Sequence, residues 1–219
     1  MDVREALYTT RAMRRVKPDP IPEDVQKRML DAAIRAPSGG NAQGWRFMLV
    51  DDKAVMTKLG PLYRECLETL FQTIYKQPLE AAEADPDSEQ STQFLKMHRS
   101  ARHLADHFED YPLLLVAFNQ GDPSGGSIFP AVWNAMLSAR ADGVGSAITS
   151  VLIFKREQFF EILGVPEDQG WNFACLVTLG YPTGRWGVAP RRPVHEVAYR
   201  NQWGGELGFE IPEPLWSPE

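Results

Sequence analysis

The 219 residues carry a formal net charge of −6, with 43% hydrophobic and 24% charged side chains. Such a chain can bury on the order of 70% of its unfolded surface, and it lacks the basic face that a nucleic-acid partner requires. The longest apolar run, Leu113–Phe118, is far too short to span a membrane.

Asp2, Arg4 and Glu5 interrupt the N-terminus where a signal peptide would have its apolar core. Cys66 and Cys175 lie far apart in apolar company without metal-ligand spacing. A reduced, cytoplasmic protein without membrane attachment is expected.

Taken in order, Asp2 can cap a first helix, with Glu5 completing a capping-box-like pair, and the helix runs towards Thr10. A basic cluster follows (Arg11, Arg14, Arg15, Lys17), then Pro18-Asp19-Pro20-Ile21-Pro22, which cannot be regular helix. Pro22 suits the opening of a second helix, whose apolar Val25, Met29, Ala32, Ala33 and Ala36 recur with helical period until Pro37.

The stretch Arg35–Phe47 then turns through Pro-Ser-Gly-Gly-Asn into a predicted strand, Trp45–Val50. Its glycines let a ligand approach the bare backbone, and Ser38, Asn41 and Gln43 offer short polar groups to a planar, amide-rich ring. The same residues also make an ordinary helix-to-strand loop.

From Lys53 to about Gln77 the pattern is helical, with Pro61 expected to split it into a short and a longer piece. Residues 79–91 are acidic and small, which predicts a mobile surface excursion. A helix over 92–108 leads to a buried strand at Leu113–Phe118, and Gly121–Gly126 forms a loop. The segment Ile128–Ala141 is apolar nearly all round, as in a helix that is central or at an interface.

Gly143-Val144-Gly145 ends that helix. A short strand and turn follow over 146–153, then an amphipathic helix at Lys155–Leu163 and a buried strand at Phe173–Leu179. After Gly180-Tyr181-Pro182, residues 183–219 are rich in proline and tryptophan and include Arg191-Arg192. A tail so long and unpatterned needs something to lean on, and a partner subunit is a candidate. About four strands among six or seven helices, with no separable linker, make one α+β domain over residues 1–219.

The chemistry-bearing residues are few. Arg11, Arg14 and Arg15 at one end and Arg191-Arg192 at the other could converge on one phosphate monoester, or be solvated surface charge. Neither GxGxxG nor GxxxxGK[ST] is present, which leaves a dinucleotide-type Rossmann unit and a P-loop unsupported. His103 and His107 stand one helical turn apart, a spacing that fits two metal ligands but is more common on a solvated helix face. There is no GxSxG, and neither cysteine has polar company, so the reaction of an enzyme of this kind falls to a bound cofactor. The six tryptophans are core or interface anchors by default, and one or two could wall a flat ligand.

Read together, TRAMRRVKPDPIP (Thr10–Pro22), AAIRAPSGGNAQGWRFMLV (Ala32–Val50), the Asn134-centred helix ending in Gly143-Val144-Gly145, and Gly180-Tyr181-Pro182 with Arg191-Arg192-Pro193 resemble, in that order, the FMN-dependent nitroreductase family. The resemblance covers nearly the whole chain and is weakest over 79–91. It implies an α+β fold with a central mixed or antiparallel sheet flanked by helices. It also implies an intertwined homodimer with exchanged C-terminal arms (183–219 here) and two FMN molecules, each touched by both subunits.

Matched residue by residue, the resemblance places Arg11, Arg14 and Arg15 in the opening FMN-binding segment, with Arg14 at the ring's N1/C2=O edge as a stabiliser of the reduced flavin. Ser38, Gly39, Asn41 and Gln43 fall in the loop that holds the ribityl chain and ring. Ala147, Ile148, Thr149 and Ser150 fall beside the isoalloxazine, and Arg191 or Arg192 near the phosphate. Two departures stand out: Thr10-Arg11-Ala12 where many members read Arg-Arg-Ser, and Gly44 where Gln-Pro-Trp is usual, which predicts a looser turn.

The implied activity is FMN-dependent NAD(P)H oxidoreduction in ping-pong fashion. NADH or NADPH is the reductant and a nitroaromatic, quinone or similar small molecule the acceptor. The flavin carries the chemistry, no side chain serves as acid or base, and no metal takes part. The helix over 61–77 is the expected lid. Alternatives on the same fold are a flavin-dependent reductive dehalogenase, an ene-type reductase and a protein that sequesters flavin without turnover.

Overall fold

The computed structural model describes residues 1–217; the last two residues of the expected arm lie outside that range. Seven α-helices and four strands follow in the order α1 (Val3–Thr9), α2 (Glu23–Ala33), β1 (Trp45–Val50), α3 (Lys53–Gln72), α4 (Lys76–Ala84), α5 (Glu89–Asp106), β2 (Leu113–Asn119), α6 (Ile128–Ala141), β3 (Gly145–Thr149), α7 (Arg156–Leu163) and β4 (Asn172–Gly180).

The strands form one sheet in the order β1-β2-β4-β3, and every neighbouring pair is antiparallel. All seven residues of β2 are buried, which the sequence signals as an unbroken apolar run. Alternate side chains go to opposite faces. Leu114, Val116 and Leu176 join α3, α5 and α7 in one core, while Leu115, Ala117, Cys175 and Val177 join α2 and α6 in the other. A register shift between Ala117 and Phe118 bends the β2–β4 ladder near its far end.

Three expectations need correction. Pro61 does not split α3, which runs unbroken across it. An interior proline costs ~3 kcal/mol, but Leu59, Leu62, Tyr63, Cys66 and Leu67 all bury on this helix, each large apolar side chain contributing about 1.5–3 kcal/mol. The acidic excursion of 79–91 is mostly regular: α4 covers its first half and α5 begins at Glu89, capped by the Ser88 hydroxyl, which accepts from Ser91 N. Its Ala and Glu residues are strong helix formers, and Ala82 seats the helix in the interior. Asp2 occupies the N-cap position of α1 but makes no capping hydrogen bond, and Glu5 accepts from Arg140 Nη2 at 3.3 Å.

Candidate functional site

The segment after α1 behaves as a partial fifth strand. Ala12 bridges Ser146 on the outer edge of β3, and Met13 N donates to Ser146 O at 2.9 Å. Val16 then bridges Pro182 across the end of β4, with Lys17 N donating to Tyr181 O and Thr183 N to Arg15 O. Two glycines permit this approach. A Cβ on Gly145 would lie 2.8 Å from the Met13 Cβ, and one on Gly180 would lie 2.7 Å from the Val16 Cβ. Past Ser146 the outer edge of β3 has no strand partner among the described residues; Ala147 is buried there, whereas Ile148, Thr149 and Ser150 are partly or well exposed.

The arginines of this segment diverge. Arg11 Nη2 donates to Arg185 O at 3.0 Å, drawing the C-terminal segment alongside. Arg14, half-buried, reaches across to α5 and donates to Ser100 Oγ at 3.4 Å. Arg15 is exposed and lines a cavity of about 260 Å³ with His103 and His107 of α5. Among the described residues none of the three pairs with a carboxylate, so the charge beside β3 is uncompensated.

Beneath them are two buried phenols that no sequence motif marks. Tyr111 OH donates to Arg14 O at 2.6 Å and fixes the backbone of the segment. Tyr63 OH lies 3.0 Å from Thr149 Oγ1 and stacks on Phe108 at 4.6 Å. Burial raises both phenols above the ordinary tyrosine range, so both stay protonated at neutral pH.

The second candidate group is the loop before β1. Gly40, Asn41 and Gln43 all adopt left-handed backbone conformations, with φ of 57°, 54° and 51°. For non-glycine residues this costs roughly 1–2 kcal/mol each. Hydrogen bonds hold the loop: Gln43 N donates to Ser38 Oγ (3.2 Å), Gln43 Nε2 to Asn41 Oδ1 (3.0 Å), and Gly39 N to Ser127 Oγ (3.3 Å). Gly44 does not loosen the turn. Gln120 N donates to its carbonyl at 2.8 Å, and a Cβ there would sit 2.3 Å from Gln120 O.

The register sets these two groups apart. Trp45 lies level with Asn119 and Asn172 at one end of the sheet, whereas Ser146 lies level with Leu179 and Leu113 at the other. They are on opposite outer strands, roughly 14 Å apart across the sheet, and the offset along it falls from about 20 Å at Ser146 to about 10 Å at Thr149, which lies level with Met48. One chain therefore does not bring Ser38, Gly39, Asn41 and Gln43 to the Arg11–Arg15 and Ala147–Ser150 group.

Among the described residues the side chains of Arg191 and Arg192 make no hydrogen bond to the N-terminal segment, and Arg191 Nη1 donates to Pro190 O at 2.8 Å. What holds the start of the C-terminal arm is a buried Arg140 stacked on Trp186 at 3.9 Å, and Trp216 packs near Tyr8 at 5.6 Å. Burial pushes the Cys66 thiol up to about 11 and Cys175 to about 12, so neither is a nucleophile at neutral pH. Among the described residues no three His, Cys, Asp or Glu side chains gather to hold a metal, and no helix is long and apolar enough to cross a membrane.

An antiparallel sheet clasped between helices, with an N-terminal segment laid on its edge strand and a long tail, defines the nitroreductase-like α+β fold. The chain belongs to the nitroreductase family, whose sequence pattern matches residues 7–181. It is 29% identical over 202 residues to an NADH dehydrogenase of Thermus thermophilus, covering 90% of this chain and 95% of that protein. It is likewise 29% identical to a 5,6-dimethylbenzimidazole synthase of Rhodospirillum rubrum, covering 91% and 94%. Among solved structures, an oxidised iodotyrosine deiodinase bound to FMN and 3-iodo-L-tyrosine superposes with a TM-score of 0.68 at 21% identity, covering 89% of this chain and 95% of that one.

Proposed function

We propose that the chain is an FMN-dependent NAD(P)H oxidoreductase acting as a homodimer. Each flavin lies between Arg11, Arg14, Arg15 and Ala147–Ser150 of one protomer and the Ser38–Gln43 loop of its partner. The observation that carries this reading is the separation of the two groups across the sheet. Each has the chemistry of half a cofactor site, and a second copy is what brings a loop of one to the edge strand of the other. The names of the relatives, an NADH dehydrogenase and an FMN-bound deiodinase, agree with it. The exposed tail, in which Trp203 is 91% exposed, supplies the arm that wraps the partner.

The residues suit FMN. Arginines without carboxylate partners favour a phosphate and an electron-rich ring edge. The free edge of β3 offers backbone donors and acceptors to the polar rim of a flat heterocycle. Ser38, Asn41 and Gln43 offer hydroxyl and amide groups in a loop whose strained backbone is already set.

Bound FMN supplies the transfer of a hydride from NADH or NADPH to a nitroaromatic, quinone or similar acceptor. Arg14 places a fixed positive charge at the site and favours the electron-rich state by preorganised electrostatics. Tyr63 orients the Thr149 hydroxyl, and Tyr111 fixes the carbonyl beside Arg14. Flavin analysis of the purified protein, then anaerobic mixing with NADH and with NADPH, tests the reading: a yellow protein bleached by either nucleotide is expected. A colourless protein that takes up no FMN would overturn it, and a yellow one that neither nucleotide bleaches would point to flavin sequestration.

A further inference from the structure

The cavity of about 260 Å³ beside the N-terminal segment shares Arg14, Arg15 and Tyr111 with the reading above, which leaves its α5 wall unused. Its walls include Arg14, Arg15, Val16, Tyr111, His103 and His107. The two imidazoles lie one turn apart on α5, with ring centroids 4.5 Å apart. That spacing fits a metal on paper, but two guanidinium groups share the cavity and would repel a cation.

The donors sort into committed and free. Tyr111 OH and Thr183 Oγ1 already donate to the carbonyls of Arg14 and Arg15. His107 Nδ1 faces Asp110 Oδ2 at 2.9 Å, which occupies the one carboxylate lining the cavity. The side chains of Arg15 and His103 make no hydrogen bond or ion pair among the described residues, and Arg14 spends one nitrogen on Ser100. What remains is a concave surface with the uncommitted donors of Arg15 and His103 and, on the carboxylate, only Asp110 Oδ1 uncommitted.

The geometry points to an anion subsite in which Arg15 and His103, with Arg14 as the inner wall, hold a carboxylate or phosphate group carried by a substrate. Its position next to a flavin rests on the function proposed above, because Arg14 and Arg15 belong to both; the binding of an anion does not. The group can come from either reactant: the 2′-phosphate that distinguishes NADPH from NADH, or an acidic substituent on the electron acceptor.

A pH signature accompanies it. Burial, then Arg15, then His107 hold the His103 imidazole below its ordinary value, opposed by Asp106. Arg14, Asp110 and Tyr111 are the other ionisable groups facing the cavity. An anion bound there stabilises the imidazolium, so His103 titrates higher in the complex. Affinity is then greatest below the free-state titration of His103 and falls as pH rises through its bound-state titration.

The direct test is proton NMR of the histidine ring protons in the full-length protein, with and without inorganic phosphate, the His103 resonance being identified by His103→Gln. Phosphate should move the His103 midpoint upward, and Arg15→Gln should abolish that movement. An unmoved midpoint overturns the subsite.

Two kinetic ratios then identify the reactant: kcat/KM for NADPH over NADH, and for 4-nitrobenzoate over 4-nitrobenzyl alcohol. In His103→Gln/His107→Gln one of them should fall about tenfold, the size of a lost charge-assisted contact. A fall in the first assigns the subsite to the dinucleotide and in the second to the acceptor, while two unchanged ratios overturn its role in substrate binding. A protein that lacks FMN but still shows the phosphate-driven shift would sink the oxidoreductase reading and leave the anion subsite standing.

Discussion

The hydroxyl of Tyr63 lies 3.0 Å from that of Thr149, joining the middle of α3 to the open edge strand β3. The two partners differ in burial: Tyr63 is 2% exposed, whereas Thr149 is half-buried. Removing Tyr63's hydroxyl leaves Thr149 able to bond water and should cost about 1 kcal/mol. Removing Thr149's leaves a buried phenol without a partner and should cost about 1–3 kcal/mol.

Tyr63→Phe is therefore the milder change and Thr149→Val the harsher one, and denaturant unfolding of the two variants measures the difference. Equal or reversed costs would show that the phenol finds another partner. Tyr63→Phe should also leave flavin content intact while altering the rate of nucleotide-driven bleaching, because it frees a hydroxyl at the site without touching the arginines.

The close passage of residues 12–16 across Gly145 and Gly180 gives a second expectation. In Gly180→Ala the new methyl meets Val16, and in Gly145→Ala it meets Met13, at distances that packed atoms do not share. Overpacking of this kind costs typically 1–3 kcal/mol. The strain falls on the segment that carries Arg14 and Arg15, so flavin retention should drop along with stability. Gly187→Ala, where nothing lies within 4 Å of the added carbon, should change neither. Thermal unfolding and the visible flavin spectrum of the three variants decide the matter.

Much of this architecture was legible because burial writes a period into the sequence. The unbroken Leu113–Phe118 run gave a central strand, and Val25, Met29 and Ala33 gave the inner face of α2. The failures have physical causes. The local cost of Pro61 predicts a break, but the buried face of α3 outweighs it. The charge of residues 79–91 predicts a mobile segment, while their Ala and Glu also favour helix. The site was half legible. Arginines and a polar loop can be read from a motif, but their separation depends on sheet order, and Tyr63, Tyr111 and Ser100 reach the site only through tertiary packing.

A pH-dependent contribution comes from Arg64 and Glu109, which fasten α3 to the turn after α5 through two bonds of 2.9 and 2.7 Å. The Arg64 hydrogen bonds hold the Glu109 carboxyl below its ordinary value, against a smaller opposing effect of burial. A depressed carboxylate stabilises the fold above its unfolded-state value near 4.3 and loses that contribution as pH falls through the folded value. Both side chains are about a third exposed, so solvent limits the pair to at most about 1 kcal/mol. Glu109→Gln should lower stability at pH 7 by that amount and leave it unchanged at pH 2, as urea titrations at the two pH values would show. An equal loss at both would assign the effect to packing.

The strongest consequence of the proposed division of the site between two chains is complementation. Arg14→Ala damages the edge-strand half, and Asn41→Ala damages the loop half on the other end of the sheet. As pure homodimers each should lose flavin, because every site then contains one damaged half. In a mixed dimer the two lesions coincide in one site and leave the other wholly intact.

After free exchange of equal amounts, half the dimers are mixed, so about one site in four is restored. The mixture should then regain flavin and nucleotide-driven bleaching to about a quarter of the unmutated level, whereas the separate proteins do not. Elution of the unmutated protein near twice the 24.7 kDa chain mass is the accompanying expectation. Mixing that restores nothing, with exchange confirmed by a mass-tagged protomer, would place both halves in the same chain and rule out the shared site.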